Sequence, residues 1–369
     1  MNVLILTPLY PPAVGGAATY FGDVVPLLAQ FSDIGNLIVL TEKLPGQPRE
    51  TVTGKLKIFR YLPARVSQPQ KSWMRHVSSY ILTQLWFVIY LPALLRRHDI
   101  GLLHFHTRYR GRLFFGTLRR CHIPIVADLR DKMAVPQQLA KVASRLMCCG
   151  ESVWQFATDG GFPKHKTALI PIPFQPPPRL DRKIVHEIVQ GYKVDQSPYV
   201  LFVGDITHNK GVWDLLDAFQ NRDASLPDMQ LVLAGINREG PHFLQRLQQI
   251  PDVTYLGHVS RSDVLALMQG AEIVALPSRS EGLPRVILEA LAMGTKVICP
   301  PDIPEFERYL APYALSEVSA GSILTLICQV WYAKEVPSYP FSTHQITQIV
   351  DQIMTVYRDL SKNQTSFLA

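Results

Sequence analysis

Cysteine is scarce in this 369-residue chain: five are scattered along it, with one adjacent pair, Cys148–Cys149. No C-x-x-C pair and no cysteine–histidine cluster has zinc spacing, which excludes a structural zinc module and a disulfide framework and leaves reduced thiols in a cytoplasm. Membrane-spanning length is also missing. The apolar run 80–95, YILTQLWFVIYLPALL, is shorter than the ~20 residues a spanning helix needs, and Pro92 interrupts its end. No G-x-G-x-x-G is present, so a nicotinamide cofactor is not implied. No internal repeat of fixed period is visible. The first expected strand, 2–7, starts at once with no basic leader ahead of it, which argues against secretion.

What is present is a generous interior. Hydrophobic residues make up 47% and charged residues 18%, the balance of a globular chain long enough for two ordinary domains. Strand-like and helical segments alternate, the pattern of α/β folds with parallel sheets and right-handed crossovers. In the first half, strands are expected near 2–7, 37–42, 56–61, 99–106 and 123–128, with helices near 17–31, 73–97, 112–120 and 137–146. The proline cluster PIPFQPPPRL (171–180) reads as a stiff linker. The alternation then restarts. Strands are expected near 199–204, 229–235, 252–256, 272–276 and 296–299, and helices near 211–221, 241–250, 260–269 and 284–293. The expected organisation is two Rossmann-like domains, 1–172 and 183–342, about a linker at 173–182. A last helix over 343–361 follows from the spacing of Ile346, Ile349/Val350, Ile353, Val356/Tyr357 and Leu360.

The net charge of +7 is unevenly placed. Residues 1–170 hold 21 Lys/Arg against 9 Asp/Glu, and residues 171–369 hold 16 against 21. A basic first half points to an anionic partner: nucleic acid, a phosphorylated acceptor or an anionic membrane surface. Nucleic acid is disfavoured, because no binding motif or aromatic-interleaved basic stripe accompanies the charge. The run 80–95 is flanked by Lys71 and Arg75 before it and by Arg96–Arg97 after it. It reads first as a helix buried against a sheet, and second as a monotopic helix dipping into an anionic leaflet.

The most informative segment is 277–298, PSRSEGLPRVILEALAMGTKVI. Pro284 sits where a first-turn proline is tolerated and Gly294 where a left-handed cap ends a helix. A strand before and a strand after make this a strand–loop–helix–strand unit, with its loop at the carboxyl end of a parallel strand, where α/β folds place ligands. The amides of Gly282 and Leu283 at the helix N-terminus suit an anion such as phosphate. Glu281 and Glu289 can accept hydrogen bonds from sugar hydroxyls. The plainer alternative makes Glu289 part of a solvent stripe and Glu281 an ordinary loop acid. Taken whole, the segment resembles the glutamate-x7-glutamate signature of retaining glycosyltransferases of family 4, through E-G-L-P and E-A-L-A-x-G-x-x-V-I as well as the two acids. That resemblance implies the GT-B fold, two Rossmann-like parallel-sheet domains facing a central cleft. It also implies that Glu281 contacts the donor sugar and Glu289 the donor ribose.

Other loops add to the resemblance. Gly15–Gly16, between the first strand and its helix, fit a plain tight turn. They also resemble the Y-P-P-x-x-G-G opening of the family, where the loop faces the donor diphosphate and acceptor. In YVLFVGDITHNKGVWDLLDAF (199–219), Val203, Gly204, Lys210 and Gly211 match the family's V-G-R-L and K-G text, and Lys210 suits a point charge on phosphate. Asp205 departs, standing where an arginine is common. Either it repels a diphosphate and leaves neutralisation to Lys210, or it turns away and pairs with a neighbour. His104 and His106 alternate on one strand and so share a face, each either structural or an acceptor-side candidate. Arg130 and Asp131 end the next strand. Arg130 either grips phosphate bidentately, fitting an Arg-Asp subgroup of the family, or pairs with Asp128 or Asp131. The family's Asn-Gly is replaced by Ile172–Pro173.

The resemblance therefore implies a retaining, metal-independent transferase, cytoplasmic or peripheral on the inner face of a membrane. No D-x-D motif offers a divalent cation a place at a diphosphate. The implied partners are a nucleotide-sugar, used as substrate with no separate cofactor, and a glycan or lipid-linked acceptor from polysaccharide assembly. Two readings stay open beside it: a nucleotide-sugar epimerase of the same fold, and a degenerate, non-catalytic binding protein.

Overall fold

A computed structural model of the chain describes residues 1–64, 73–222 and 227–365. It divides into unit 1, Met1–Pro173 with Thr343–Ala369, and unit 2, Phe174–Ser342. Lys71, one of the cations flanking the apolar run, lies outside the described residues.

Unit 1 opens with β1 (Asn2–Leu6), α1 (Gly16–Leu28), β2 (Leu37–Glu42), β3 (Glu50–Thr53) and β4 (Leu56–Leu62). It continues with α2 (Trp73–Ile89), α3 (Leu91–Arg97), β5 (Ile100–His106), α4 (Arg112–Arg119) and β6 (Ile125–Leu129). Then come α5 (Pro136–Ala140), β7 (Arg145–Cys148), α6 (Glu151–Asp159) and β8 (Thr167–Leu169). The eight strands lie in the order β3-β4-β2-β1-β5-β6-β7-β8, parallel except for the antiparallel β3–β4 pair. β1 and β2 are apolar on both faces because helices cover both sides of a parallel sheet; Leu4 registers with Ile38 on one side and Leu103 on the other.

Unit 2 contains α7 (Arg182–Gly191), β9 (Tyr199–Val203), α8 (Val212–Gln220), β10 (Gln230–Ala234), α9 (Pro241–Leu247) and β11 (Val253–Gly257). It ends with α10 (Arg261–Gly270), β12 (Ile273–Ala275), α11 (Arg285–Met293), β13 (Lys296–Ile298), α12 (Pro304–Leu310) and α13 (Ala320–Tyr332). Its five strands are all parallel, in the order β11-β10-β9-β12-β13. The order reverses at β9–β12, so the loops after those two strands meet at a switch point, where such sheets bind ligands. The last helix, α14 (Ile346–Thr365), returns to unit 1, where Ile349, Val350, Ile353, Met354 and Tyr357 join the core of Val3, Phe21 and Val24.

Several expectations are corrected. The helix expected at 137–146 is the short α5 followed by β7, because Leu146, Met147 and Cys148 form a buried run between two other strands. The helix expected at 73–97 is two helices meeting at a 42° bend beside Tyr90 and Pro92. Its burial is inverted as well: Ser79, Thr83, Gln84 and Phe87 face inward, whereas Ile81, Leu82, Leu85 and Ile89 are exposed. Among the described residues no single helix is long and apolar enough to cross a membrane. α11 begins at Arg285, one residue later than expected, with Pro284 as its extended N-cap; Gly294 does adopt the left-handed cap, at φ 79°.

Candidate functional site

At the switch point of unit 2, two loops are held against each other by backbone. Gly211 adopts φ 70°, and a Cβ there would stand 1.9 Å from the Pro277 carbonyl oxygen, so the residue after Lys210 has to be glycine. The Arg279 amide donates to Asn209 O (2.8 Å), Ser278 Oγ donates to the same oxygen (3.1 Å), and the Arg279 guanidinium donates to His208 O (3.0 Å). Arg279 also pairs with Asp214 of α8 at 2.7 Å. The outcome is one directed contact: Lys210 Nζ lies 2.5 Å from Glu281 Oε1. The lysine's side chain is 29% exposed and the glutamate's 14%, so both are reachable yet partly desolvated.

The rest of the expected donor set lies around this pair. Gly282 and Leu283 are buried between Glu281 and the start of α11, whose N-terminus has no side-chain cap. Glu289 projects from the middle of α11, and its carboxylate is 3.0 Å from Arg261 at the start of α10. It is not on a solvent stripe, for its side chain is only 12% exposed. Burial raises its pKa above the ordinary carboxylate value, opposed by Arg261 and Arg285. Gly204 follows β9 at φ 155°. Its carbonyl lies 1.8 Å from where a Cβ of Gly235 would be, so two glycines let adjacent strand ends touch. Asp205 pairs with Arg238 at 3.1 Å, the second of the two alternatives raised for it.

Unit 1 arranges its candidates differently. Arg130 is committed to Asp128, with Nε 2.7 Å from Oδ1 and a terminal nitrogen donating to Oδ2 at 3.0 Å, and it stacks 3.3 Å over the Tyr20 ring. That is the salt-bridge alternative, in which the guanidinium neutralises a buried carboxylate. Burial works to raise the Asp128 pKa, but Arg130 and His104 outweigh it and hold the carboxyl well below its usual range. His104 Nε2 is 3.2 Å from Asp128 and its Nδ1 is 2.6 Å from the Tyr357 hydroxyl of α14. His106 accepts from the Arg108 amide at 3.0 Å, and burial pushes its pKa down to about 4. Both histidines pack on Phe21, sharing a face, and both are buried. Asp131 accepts from the Met133 amide and lies 3.7 Å from Arg108, on a half-buried loop. Gly15 (φ 141°) caps α1 without a side-chain hydrogen bond, and Gly16 opens onto space.

Sequence reasoning missed Arg279, Asp214, Arg261 and Arg238. Their partners lie 28 to 71 residues away, and no local pattern marks them. Gly211 was the one available signal, since a glycine just before an apolar helix implies a special turn. Among the described residues no group of three or more His, Cys, Asp or Glu could hold a metal ion.

Residues 186–317 match the family model described as glycosyl transferases group 1. Alpha-D-kanosaminyltransferase of Streptomyces kanamyceticus is 35% identical over 111 residues, 29% of this chain and 28% of that protein. The N,N'-diacetylbacillosaminyl-diphospho-undecaprenol alpha-1,3-N-acetylgalactosaminyltransferase of Campylobacter jejuni is 34% identical over 107 residues, 28% and 27% respectively. The chain thus spans little more than a quarter of the length of these curated relatives. In structure, HepE of Anabaena, solved in complex with UDP and glucose, superposes with a TM-score of 0.66 at 14% identity, over 97% of this chain and 100% of that one. The fold is GT-B.

Proposed function

We propose that the chain is a group 1 glycosyltransferase of the retaining family-4 kind. It would move a sugar from a nucleotide-sugar donor to a glycan or lipid-linked glycan precursor in polysaccharide biosynthesis, without a bound metal. The observation that carries this reading is the Lys210–Glu281 pair at the switch point of unit 2, next to the N-terminus of α11. The reaction breaks a glycosidic bond to a nucleoside diphosphate, so negative charge grows on the leaving phosphate. A fixed cation and oriented amides aimed there lower the barrier, because they need no reorganisation as the charge develops. Lys210 takes the donor phosphate, exchanging Glu281 for it as partner, with the Gly282 and Leu283 amides beside it. Glu281, thereby released, accepts from the sugar hydroxyls. Glu289, held by Arg261, accepts from the ribose. Each acid has an orienting role, which shortens the search for a reactive geometry.

A lipid-linked acceptor would put this cytoplasmic reaction at the inner face of a membrane; the name of the Campylobacter relative includes a diphospho-undecaprenol. A thermal-shift panel of UDP-, GDP- and ADP-sugars tests the donor half of the proposal, since any ligand of the native state raises the melting temperature. Incubating the stabilising donor with and without acceptor glycans tests the rest. Transfer that persists in chelator supports the reading. Epimerisation of the free donor, or binding with no turnover, would replace it with one of the two alternatives.

A further inference from the structure

Helix α2 is built inside out. Its inward side carries three polar residues, Ser79, Thr83 and Gln84, beside Phe87, all buried. Thr83 Oγ1 donates to Ser79 O (2.7 Å), Gln84 Nε2 donates to Arg110 O (3.0 Å), and Gln84 Oε1 accepts from the Phe114 amide (3.2 Å). Its outward side carries Val77, Ile81, Leu82, Leu85, Val88 and Ile89, with Ile81 at 51% and Ile89 at 60% exposure. Steps of three and four place these side chains on one face of the helix. Water is a poor partner for a continuous apolar face of this kind, and such patches mark interaction sites.

The charge around that face selects the occupant. From Trp73 to His98 there is no aspartate or glutamate, and Arg75, Arg96 and Arg97 are exposed along the same two helices. Arg110 and Arg112, on the segment that Gln84 grips, are exposed as well. Tyr90, at the bend, is exposed and lies 5.6 Å from Trp86, an amphipathic pair of the kind that sits at headgroup level. An apolar stripe on helices that carry cations and no acidic residue is complementary to an anionic lipid surface. A second copy of the chain would bring like charges together. We propose that the outer face of α2 seats this protein in the headgroup region of an anionic leaflet, lying in the plane of the membrane with its inner face still packed on unit 1. This specifies the surface behind the membrane placement proposed above and is independent of the donor site.

Flotation of the full chain with vesicles of phosphatidylcholine, alone or mixed with phosphatidylglycerol, is the test. The parent should float with the anionic vesicles, less so in high salt. Arg96→Gln and Arg97→Gln should each weaken partitioning about five-fold. Ile81→Glu with Leu85→Glu should abolish flotation while keeping the parent's melting temperature and its stabilisation by nucleotide-sugar, because neither side chain is buried. Three results would overturn the proposal: a parent that does not float with anionic vesicles, a double variant that floats as well as the parent, or a dimeric parent that the double variant turns monomeric while neither binds lipid. Flotation itself does not use the donor, so failure here leaves the transferase reading untouched, and the converse holds.

Discussion

Lys210 and Glu281 neutralise one another at 2.5 Å, so removal of either leaves a partly buried charge alone as well as a lost donor contact. Lys210→Ala is expected to weaken nucleotide-sugar binding by about 2 kcal/mol, or roughly thirty-fold, the scale of a charge-assisted hydrogen bond. Glu289 carries a pH dependence of its own. Burial raises its pKa, so the folded chain holds that proton more tightly than the unfolded one does. The resulting stability is present below the ordinary glutamate range and is lost as pH rises through the raised value, so the ionised form is a cost at neutral pH. Glu289→Gln should therefore melt at a higher temperature than the parent at pH 7 while binding donor more weakly, a split visible in paired melting and titration experiments. His106 has the opposite sign. Burial depresses its pKa from 6.5 to about 4, so its contribution to stability is full above 6.5 and is lost as pH drops towards 4. Denaturant melts between pH 7 and 4 should show that loss in the parent and a flatter profile in His106→Gln.

At the scale of elements, the loops after β9 and β12 act as one body because backbone meets backbone. Gly211→Ala would place a methyl 1.9 Å from the Pro277 carbonyl at a left-handed φ, which forces the loops apart. A loss of about 3 kcal/mol in chemical denaturation is expected, with donor binding lost in the same variant because Lys210 moves with the loop. This element shows what a sequence can and cannot reveal. Glu281, Lys210 and the glycines stand in local text with fixed spacing, so the core of the candidate site was legible. The partner of Asp205 was not, since Arg238 lies 33 residues on, in a separate loop. Nor was the commitment of Arg130 to Asp128, although the two are neighbours in sequence, because a strand-end arginine serves a ligand or a buried acid equally well until burial is known. Which side of α2 is buried was not legible for a related reason: periodicity locates a stripe, and only packing tells whether protein or something else covers it.

For the whole molecule, the alternation of strands and helices revealed two Rossmann-like units because parallel sheets covered on both faces require continuous apolar strands. What it missed were short pieces, such as β7 and β8, that rely on neighbours more than on their own pattern. The C-terminal helix ties the first residues to the last. Ile349, Val350, Ile353, Met354 and Tyr357 are all at most 2% exposed in the core of unit 1. At about 2 kcal/mol for each buried side chain, their removal is comparable to the whole stability of a domain. A chain ending before Ile346 should lose the calorimetric transition of unit 1 and retain that of unit 2. The central claim, that the Lys210–Glu281 pair of unit 2 holds the donor diphosphate and sugar, is tested most directly by calorimetric titration of the parent and of Lys210→Ala with the nucleotide-sugar that most stabilises the parent. A drop in affinity of about thirty-fold with folding intact is the predicted result, and equal affinity in the two proteins would contradict it.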